Sequence, residues 1–226
     1  MIKVILFDAG NTLVYVNMAL VARTLGLRGA LVTSDDLWRS EHRARALLDD
    51  PEIIRSTTDH TRWKLYFETI FRFSGITARA VVDPVLEELA AIHRESNIWE
   101  VVPPEVPPAL DGLRARYRLG VVSNANGTVR EKLRRVGLAS YFDVILDSHE
   151  ERIEKPDPRI FHLALERLGA LAEETVYVGD FYHIDVVGAR AAGLRAVLLD
   201  PGNAHGDKVI PRIASLESLA RAIDAL

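Results

Sequence analysis

The chain of 226 residues contains no cysteine. That excludes disulfides, a thiol nucleophile and any metal site built on thiolates, and it fits a reducing compartment. A basic tract is missing too: 28 Lys and Arg stand against 32 Asp and Glu, for a formal net charge of −4. Nucleic acid and anionic membranes are therefore poor candidates for its main partner. No apolar run approaches the ~20 residues that a membrane-spanning helix needs. Met1 leads straight into an apolar segment, without the basic start or cleavable core of a signal peptide, so a soluble cytoplasmic protein is expected. Internal repeats and low-complexity tracts are absent. The length allows one α/β core with an insertion.

What is present starts with Ile2–Leu13, read as IKVILFDAGNTL. Ile2, Val4, Ile5, Leu6 and Phe7 form a nearly continuous apolar run, the pattern of a strand buried on both faces of a parallel sheet. The run stops at Asp8, followed by the small turn Ala9, Gly10, Asn11, Thr12. A carboxylate at the carboxyl end of a central strand lies at the crevice where open α/β sheets bind ligands. Taken alone, Asp8 reads equally well as a solvated turn residue.

From about Val16 to Ile92 the periodicity is helical. Asp35-Asp36 opens one segment running to Leu47-Leu48, and Asp59 or Thr61 opens another whose Trp63, Phe67, Ile70 and Phe71 share one face. These aromatics read as packing of a helical bundle. Asp83-Pro84 is expected to cap a helix over Val85–His93, with Pro51, Gly75 and Asp83-Pro84 as breaks. Ser96–Pro108 holds four of the ten prolines and is expected to be a stiff linker. Beyond it helices and strands alternate: helix Ala109–Tyr117, strand Leu119–Ser123, helix Val129–Val136, strand Asp143–Leu146, helix Arg159–Leu168, strand Thr175–Val178, helix Asp185–Ala192 and strand Arg195–Leu199. A last amphipathic helix carries Leu216, Leu219, Ile223 and Leu226. This alternation predicts a doubly wound, Rossmann-like parallel sheet. The core would comprise residues 1–15 and 97–226, with a helical cap over 16–96 that could enclose a small substrate.

Three later strand ends carry polar residues. One ends in Ser123-Asn124, a second leads to Lys155 in Glu154-Lys155-Pro156-Asp157-Pro158, and a third ends in Gly179-Asp180 with Asp185 following. In a parallel sheet these ends share the edge that carries Asp8. Singly, they read as turn residues, a loop charge and helix caps. Together they gather a carboxylate nucleophile, a cation, a hydroxyl and two further acids. Three close carboxylates repel unless a divalent cation lies between them, and all-oxygen ligation suits magnesium.

The segments FDAGNTL, VVSN, EKPDPRIF and VGDFYHIDVVGARAAGL resemble the four motifs of the haloacid dehalogenase superfamily of hydrolases, and the insertion after the first motif resembles its helical-cap subfamily. The resemblance implies that Asp8 attacks phosphorus and forms an aspartyl phosphate. It implies magnesium held by Asp8, the Gly10 carbonyl and Asp180, with Asp185 as ligand or orienting neighbour. Ser123 and Lys155 would contact the phosphoryl oxygens, and Thr12 and Asn124 would support the loop and the substrate side of the site.

One position departs from the phosphatase pattern. Two residues after the nucleophile, where the resemblance implies a general acid, the chain has Gly10. General acid catalysis is typically worth ~10²–10⁴ in rate. A proton could come instead from His183, His42 or His60, or the leaving group could need none. The 2-haloacid dehalogenases also lack that acid, and their cap arginine in a Leu-Trp-Arg run resembles Leu37-Trp38-Arg39, which makes Arg39 a candidate substrate ligand. Against that branch stands Asp180, a metal-type acid. Phosphonoacetaldehyde hydrolysis would need a Schiff-base lysine, and the cap has only Lys64. A third possibility is a metal-binding regulatory protein that keeps the fold without turnover. The sequence does not specify the substrate or the oligomeric state.

Overall fold

The computed structural model describes residues 1–206 and 208–226. They form two compact units, one of Met1–Tyr15 with Val101–Leu226 and one of Val16–Glu100. The strands are β1 Val4–Phe7, β2 Tyr15–Val16, β3 Trp99–Val101, β4 Arg118–Ser123, β5 Val144–Asp147, β6 Thr175–Gly179, β7 Arg195–Leu199 and β8 Arg212–Ile213. Six of them make one sheet in the order β5-β4-β1-β6-β7-β8, with every neighbouring pair parallel. The chain builds outward from β1 to β5, then returns to lay β6 against the other side of β1. That reversal opens the crevice where such sheets bind ligands, and it falls between the strands that lead into Asp8 and Asp180.

The helices are α1 Met18–Gly26, α2 Ser34–Leu48, α3 Pro51–Ser56, α4 Asp59–Phe73, α5 Arg79–Ser96, α6 Val106–Arg114, α7 Val129–Arg135, α8 Ser148–Glu151, α9 Pro158–Leu168, α10 Val187–Ala191 and α11 Leu219–Asp224. One face of the sheet packs Leu6, Val122, Leu146, Tyr177 and Leu198 against Ile160, Phe161, Ala164 and Leu165 of α9. Ile5, Phe7, Val121 and Val178 alternate with these residues, so they point to the opposite face, and all are fully buried. A sheet covered on both sides is why its strands read as unbroken apolar runs.

The Val16–Glu100 unit is helical, with α2 and α4 packed along each other. Leu37, Ala44 and Leu48 of α2 and Phe67, Ile70 and Phe71 of α4 are buried. Capping boxes of Thr33 with Asp36 and of Thr58 with Thr61 start the two helices, satisfying backbone N–H groups that have no partner within the helix.

Several local expectations are corrected. Asp83-Pro84 does not start a helix; α5 begins at Arg79 and contains Pro84. Val82, Val85, Leu86 and Leu89 form one buried stripe across that proline, and burying the stripe outweighs one lost backbone hydrogen bond. Pro51 opens α3 behind an Asp50 cap rather than merely separating helices. The proline-rich linker contains β3, which pairs with β2 in a two-stranded ribbon. Pro107 and Pro108 fall in the first turn of α6, where a missing N–H is tolerated. The segment expected to be helical from Asp185 opens instead as a π-helical turn, Tyr182–Val186. Ribbon and β8 strands of two or three residues are too short to show a period in sequence.

Candidate active site

All of the strand-tip residues belong to the same compact unit. Asp8 extends the β1–β6 ladder one step beyond the strand, its N–H donating to the Val178 carbonyl at 2.8 Å. The following loop closes by backbone bonds. Asn11, in the left-handed region at φ 52°, donates to Val14 O at 2.7 Å, and Leu13 and Val14 both donate to Ala9 O. Asp8 itself is buried, with 8% of its surface exposed.

Lys155 is the hub. Its buried ammonium donates to Asp8 Oδ1, Asp185 Oδ1 and Tyr177 Oη, each at 2.7 Å. Its backbone is clamped by Asn124, whose Oδ1 accepts from Lys155 N at 2.8 Å and whose Nδ2 donates to Lys155 O at 2.9 Å. The loop also lies against α10 at Gly188, where a Cβ would stand 2.9 Å from Pro156 Cα.

Asp185 has both oxygens engaged. Oδ1 receives Lys155 and lies 3.3 Å from the Tyr177 hydroxyl. Oδ2 accepts the N–H groups of Asp180 at 3.1 Å and Phe181 at 2.9 Å. The π-helical turn, in which Asp185 N and Val186 N both donate to Phe181 O, presents the carboxylate to those N–H groups. Gly179 makes room for it: a Cβ there would lie 2.4 Å from the Asp185 carboxyl.

Burial pushes the Asp8 carboxyl up to about 6, with the Asp185 charge adding to the rise and Lys155 opposing it. Burial works against the Lys155 charge, but Asp185 and Asp8 together outweigh it and hold the ammonium above its ordinary value. Tyr177 is held well above the usual phenol value, first by burial and then by the charges of Asp185 and Asp8. The lysine is thus charged and the phenol neutral near pH 7.

The other sequence candidates are placed as follows. Ser123 is buried at the tip of β4, with only a long contact of 3.4 Å to Asn124 O. Thr12 is fully buried, yet its hydroxyl makes no hydrogen bond among the described residues, so the backbone rather than Thr12 supports the loop. Gly10 forms a backbone bridge with Val14. Arg39 lies in the other unit, exposed and ion-paired with Asp36 on its own helix. His183 is half-buried against Tyr182, its ring centroid at 5.0 Å. His60 and Lys64 are exposed, and His42 lies 3.8 Å from Glu41.

Two residues escaped the sequence reading. Tyr177 lies inside the apolar run of β6, where a buried tyrosine hydroxyl calls for a partner. Asp147, at the end of β5, is buried and accepts from Gly127 N at 2.9 Å, Val129 N at 3.2 Å and His149 N at 3.0 Å, fixing the loop after Asn124.

A divalent cation suits this chemistry. Asp8, Asp180 and Asp185 are all buried; Asp8 and Asp185 share the Lys155 ammonium, and burial together with the Asp185 charge raises Asp8 against the pull of Lys155. Among the described residues no three Asp, Glu or His side chains gather as ready ligands. Were magnesium held here, Asp8 and Asp180 with main-chain oxygen and water would be its ligands, in keeping with its oxygen chemistry.

A buried carboxylate salt-bridged to lysine thus lies at the switch point of a parallel sheet, the place where α/β proteins of this class bind ligands. The family pattern of haloacid dehalogenase-like hydrolases matches residues 2–193, and the chain belongs to that family. It is 28% identical to the bovine (Bos taurus) haloacid dehalogenase-like hydrolase domain-containing protein 3, across 100% of this chain and 94% of the relative. It is 32% identical to a glyceraldehyde 3-phosphate phosphatase of Methanopyrus kandleri, across 89% and 85%. The solved structure of a 2-haloacid dehalogenase from Pseudomonas syringae superposes with a TM-score of 0.61 at 29% identity, covering 100% of this chain and 99% of that one. The α/β fold with its helical insertion is therefore the family's, and the relatives include both phosphatases and dehalogenases.

Proposed function

We propose that the protein hydrolyses a phosphate ester of a small metabolite, with Asp8 as nucleophile and magnesium as its metal. The observation that carries this reading is the Lys155 ammonium shared between Asp8 and Asp185, with Asp180 buried on the neighbouring strand tip. An Asp8 oxygen attacks phosphorus, the bond to the leaving oxygen breaks, and an aspartyl phosphate forms that water then hydrolyses. Lys155 neutralises charge on the transferring group, and the Ser123 hydroxyl donates to another of its oxygens. Asp185 is a positioning residue here: both its oxygens are occupied, and what it orients is Lys155 and the turn bearing Asp180. Magnesium, held by Asp8, Asp180 and the Gly10 carbonyl, would supply further positive charge for the phosphoryl oxygens.

Gly10 brings no proton to the departing oxygen. Turnover should accordingly favour acidic leaving groups, with poor ones slowed on the order of the ~10²–10⁴ that general acid catalysis provides. The relative acting on glyceraldehyde 3-phosphate supports a small phosphorylated substrate.

A second reading, 2-haloacid dehalogenation, is favoured by Gly10 and by the 29% identical dehalogenase structure. It gives no role to Asp180, a buried carboxylate one residue beyond β6. One experiment separates the readings. Magnesium-dependent release of nitrophenolate from p-nitrophenyl phosphate, lost in Asp8→Asn, is the expected result. Halide release from 2-chloropropionate in chelator, without phosphatase activity, would install the dehalogenase. Magnesium binding with neither activity would point to a regulatory protein.

A further inference from the structure

We propose that Tyr177 is a positioning residue that holds Lys155 in aim and gives up its hydrogen bond when a substrate oxygen arrives. The inference rests on the phosphatase reading for the identity of that oxygen, though not for the geometry.

A lysine ammonium has three N–H donors. In this structure all three are taken, by Asp8 Oδ1, Asp185 Oδ1 and Tyr177 Oη, each at 2.7 Å. A lysine so subscribed has nothing left for a phosphoryl oxygen until one acceptor lets go. Two of the three are charged carboxylates, and hydrogen bonds between ions are roughly twice as strong as those to neutral groups. The neutral phenol is therefore the partner that yields.

The phenol is built for this role. Its O–H has an acceptor in the Val122 carbonyl of β4 at 2.8 Å, so its lone pairs are left for the ammonium. The ring is fully buried and braced edge-on by Phe161, centroids 5.0 Å apart at 81°. One side chain thus ties β6 to β4, one residue before Ser123, and to the lysine. Residue 177 lies inside β6, so its position is set by the strand rather than by a mobile loop. A satisfied core tyrosine would need only Val122; the 2.7 Å contact to Lys155 goes beyond that need.

Tyr177→Phe removes only the hydroxyl and tests the idea. With p-nitrophenyl phosphate and magnesium, kcat should fall about tenfold while KM stays level or drops, because an N–H is freed for the ground state and the aim is lost. Unchanged kcat and KM in a folded variant would overturn the proposal. So would a rise in KM at constant kcat. A readout independent of turnover uses 15N-lysine NMR: the Lys155 ammonium, identified by its loss in Lys155→Met, should exchange with water more slowly in the wild type than in Tyr177→Phe. Equal exchange would refute the positioning role even if the protein proves to be no phosphatase. Should Tyr177→Phe fail to fold, the wild type labelled at the tyrosine ζ-carbon still decides. Inorganic phosphate should shift the Tyr177 signal, and titration to saturation without a shift would contradict displacement. If phosphate does not bind at all, the phosphatase reading fails, while the exchange rate of the wild-type ammonium remains the test of the contact: rapid exchange would refute it.

Discussion

The two units of this protein bury charge in different ways. In the sheet unit, Asp8, Lys155, Asp180 and Asp185 come from separate strand tips and loops, and Lys155 links residues 147 and 30 positions away along the chain. In the helical unit a buried ion pair lies along a single helix. Glu41 meets Arg45 at 3.2 Å one turn along α2, and the Tyr66 hydroxyl donates to Glu41 at 3.0 Å. A local pair satisfies itself within a bundle. A convergent cluster, by contrast, exists only because the sheet brings its tips together, and it leaves Asp8 with an unrelieved burial cost. On the proposed function the convergent cluster serves chemistry, whereas the pair along one helix serves packing.

The sharpest way to break this contrast is Lys155→Met. It strips the cluster of its cation, so turnover should fall by at least ~10³-fold. Urea unfolding should show a loss of about 3–5 kcal/mol, as when one partner of a buried pair is removed. An active, stable variant would mean that the cluster is packing as well. Asn124→Ala is expected to act more gently: two hydrogen bonds to the Lys155 backbone disappear, with about 1–3 kcal/mol of stability and roughly tenfold in kcat, equivalent to ~1.4 kcal/mol. In the helical unit, Arg39→Ala removes an exposed ion pair worth no more than about 1 kcal/mol, and p-nitrophenyl phosphate kinetics should stay within twofold. A collapse of activity toward 2-haloacids in that variant would revive the dehalogenase reading.

The smallest effect concerns Asp36. Its carboxyl is held below the usual value by the Thr33 hydroxyl and N–H, with Arg39 assisting. A depressed folded-state value means stability that is present above the ordinary carboxylate range and lost as pH falls through the folded value. The stability gap between wild type and Asp36→Asn should therefore be constant from neutral pH down to about 4 and close below it. A gap that persists at pH 2 would show that the cap does not depend on charge.

The same contrast governs what the sequence disclosed. Buried parallel strands announce themselves as apolar runs, and their ends mark one edge of the sheet, so Asp8, Ser123, Lys155 and Asp180 stand out in the sequence as candidates. Roles set by geometry were hidden. The sequence leaves Asp185 as ligand or orienter, and its hydrogen bonds with Lys155 and with the N–H groups of Asp180 and Phe181 support the orienting role proposed above; the Thr12 hydroxyl has no hydrogen bond among the described residues. Tyr177 was masked by its apolar neighbours; the signal was a lone hydroxyl in a buried strand two residues before Gly179. Pro84 misled because local propensity yields to a continuous buried stripe. The periodicity of the helical unit marks packing faces, as read for the aromatics of α4, and nothing in it singles out Arg39 as a ligand contact.

The proposed reaction phosphorylates Asp8 during turnover. Rapid acid quench of the wild type turning over p-nitrophenyl phosphate with magnesium, followed by peptide mass spectrometry, addresses it directly. A phosphate's mass is expected on the peptide containing Asp8 and should be absent in Asp8→Asn. Steady turnover with that peptide unmodified at every quench time, or with the phosphate on another residue, would contradict it.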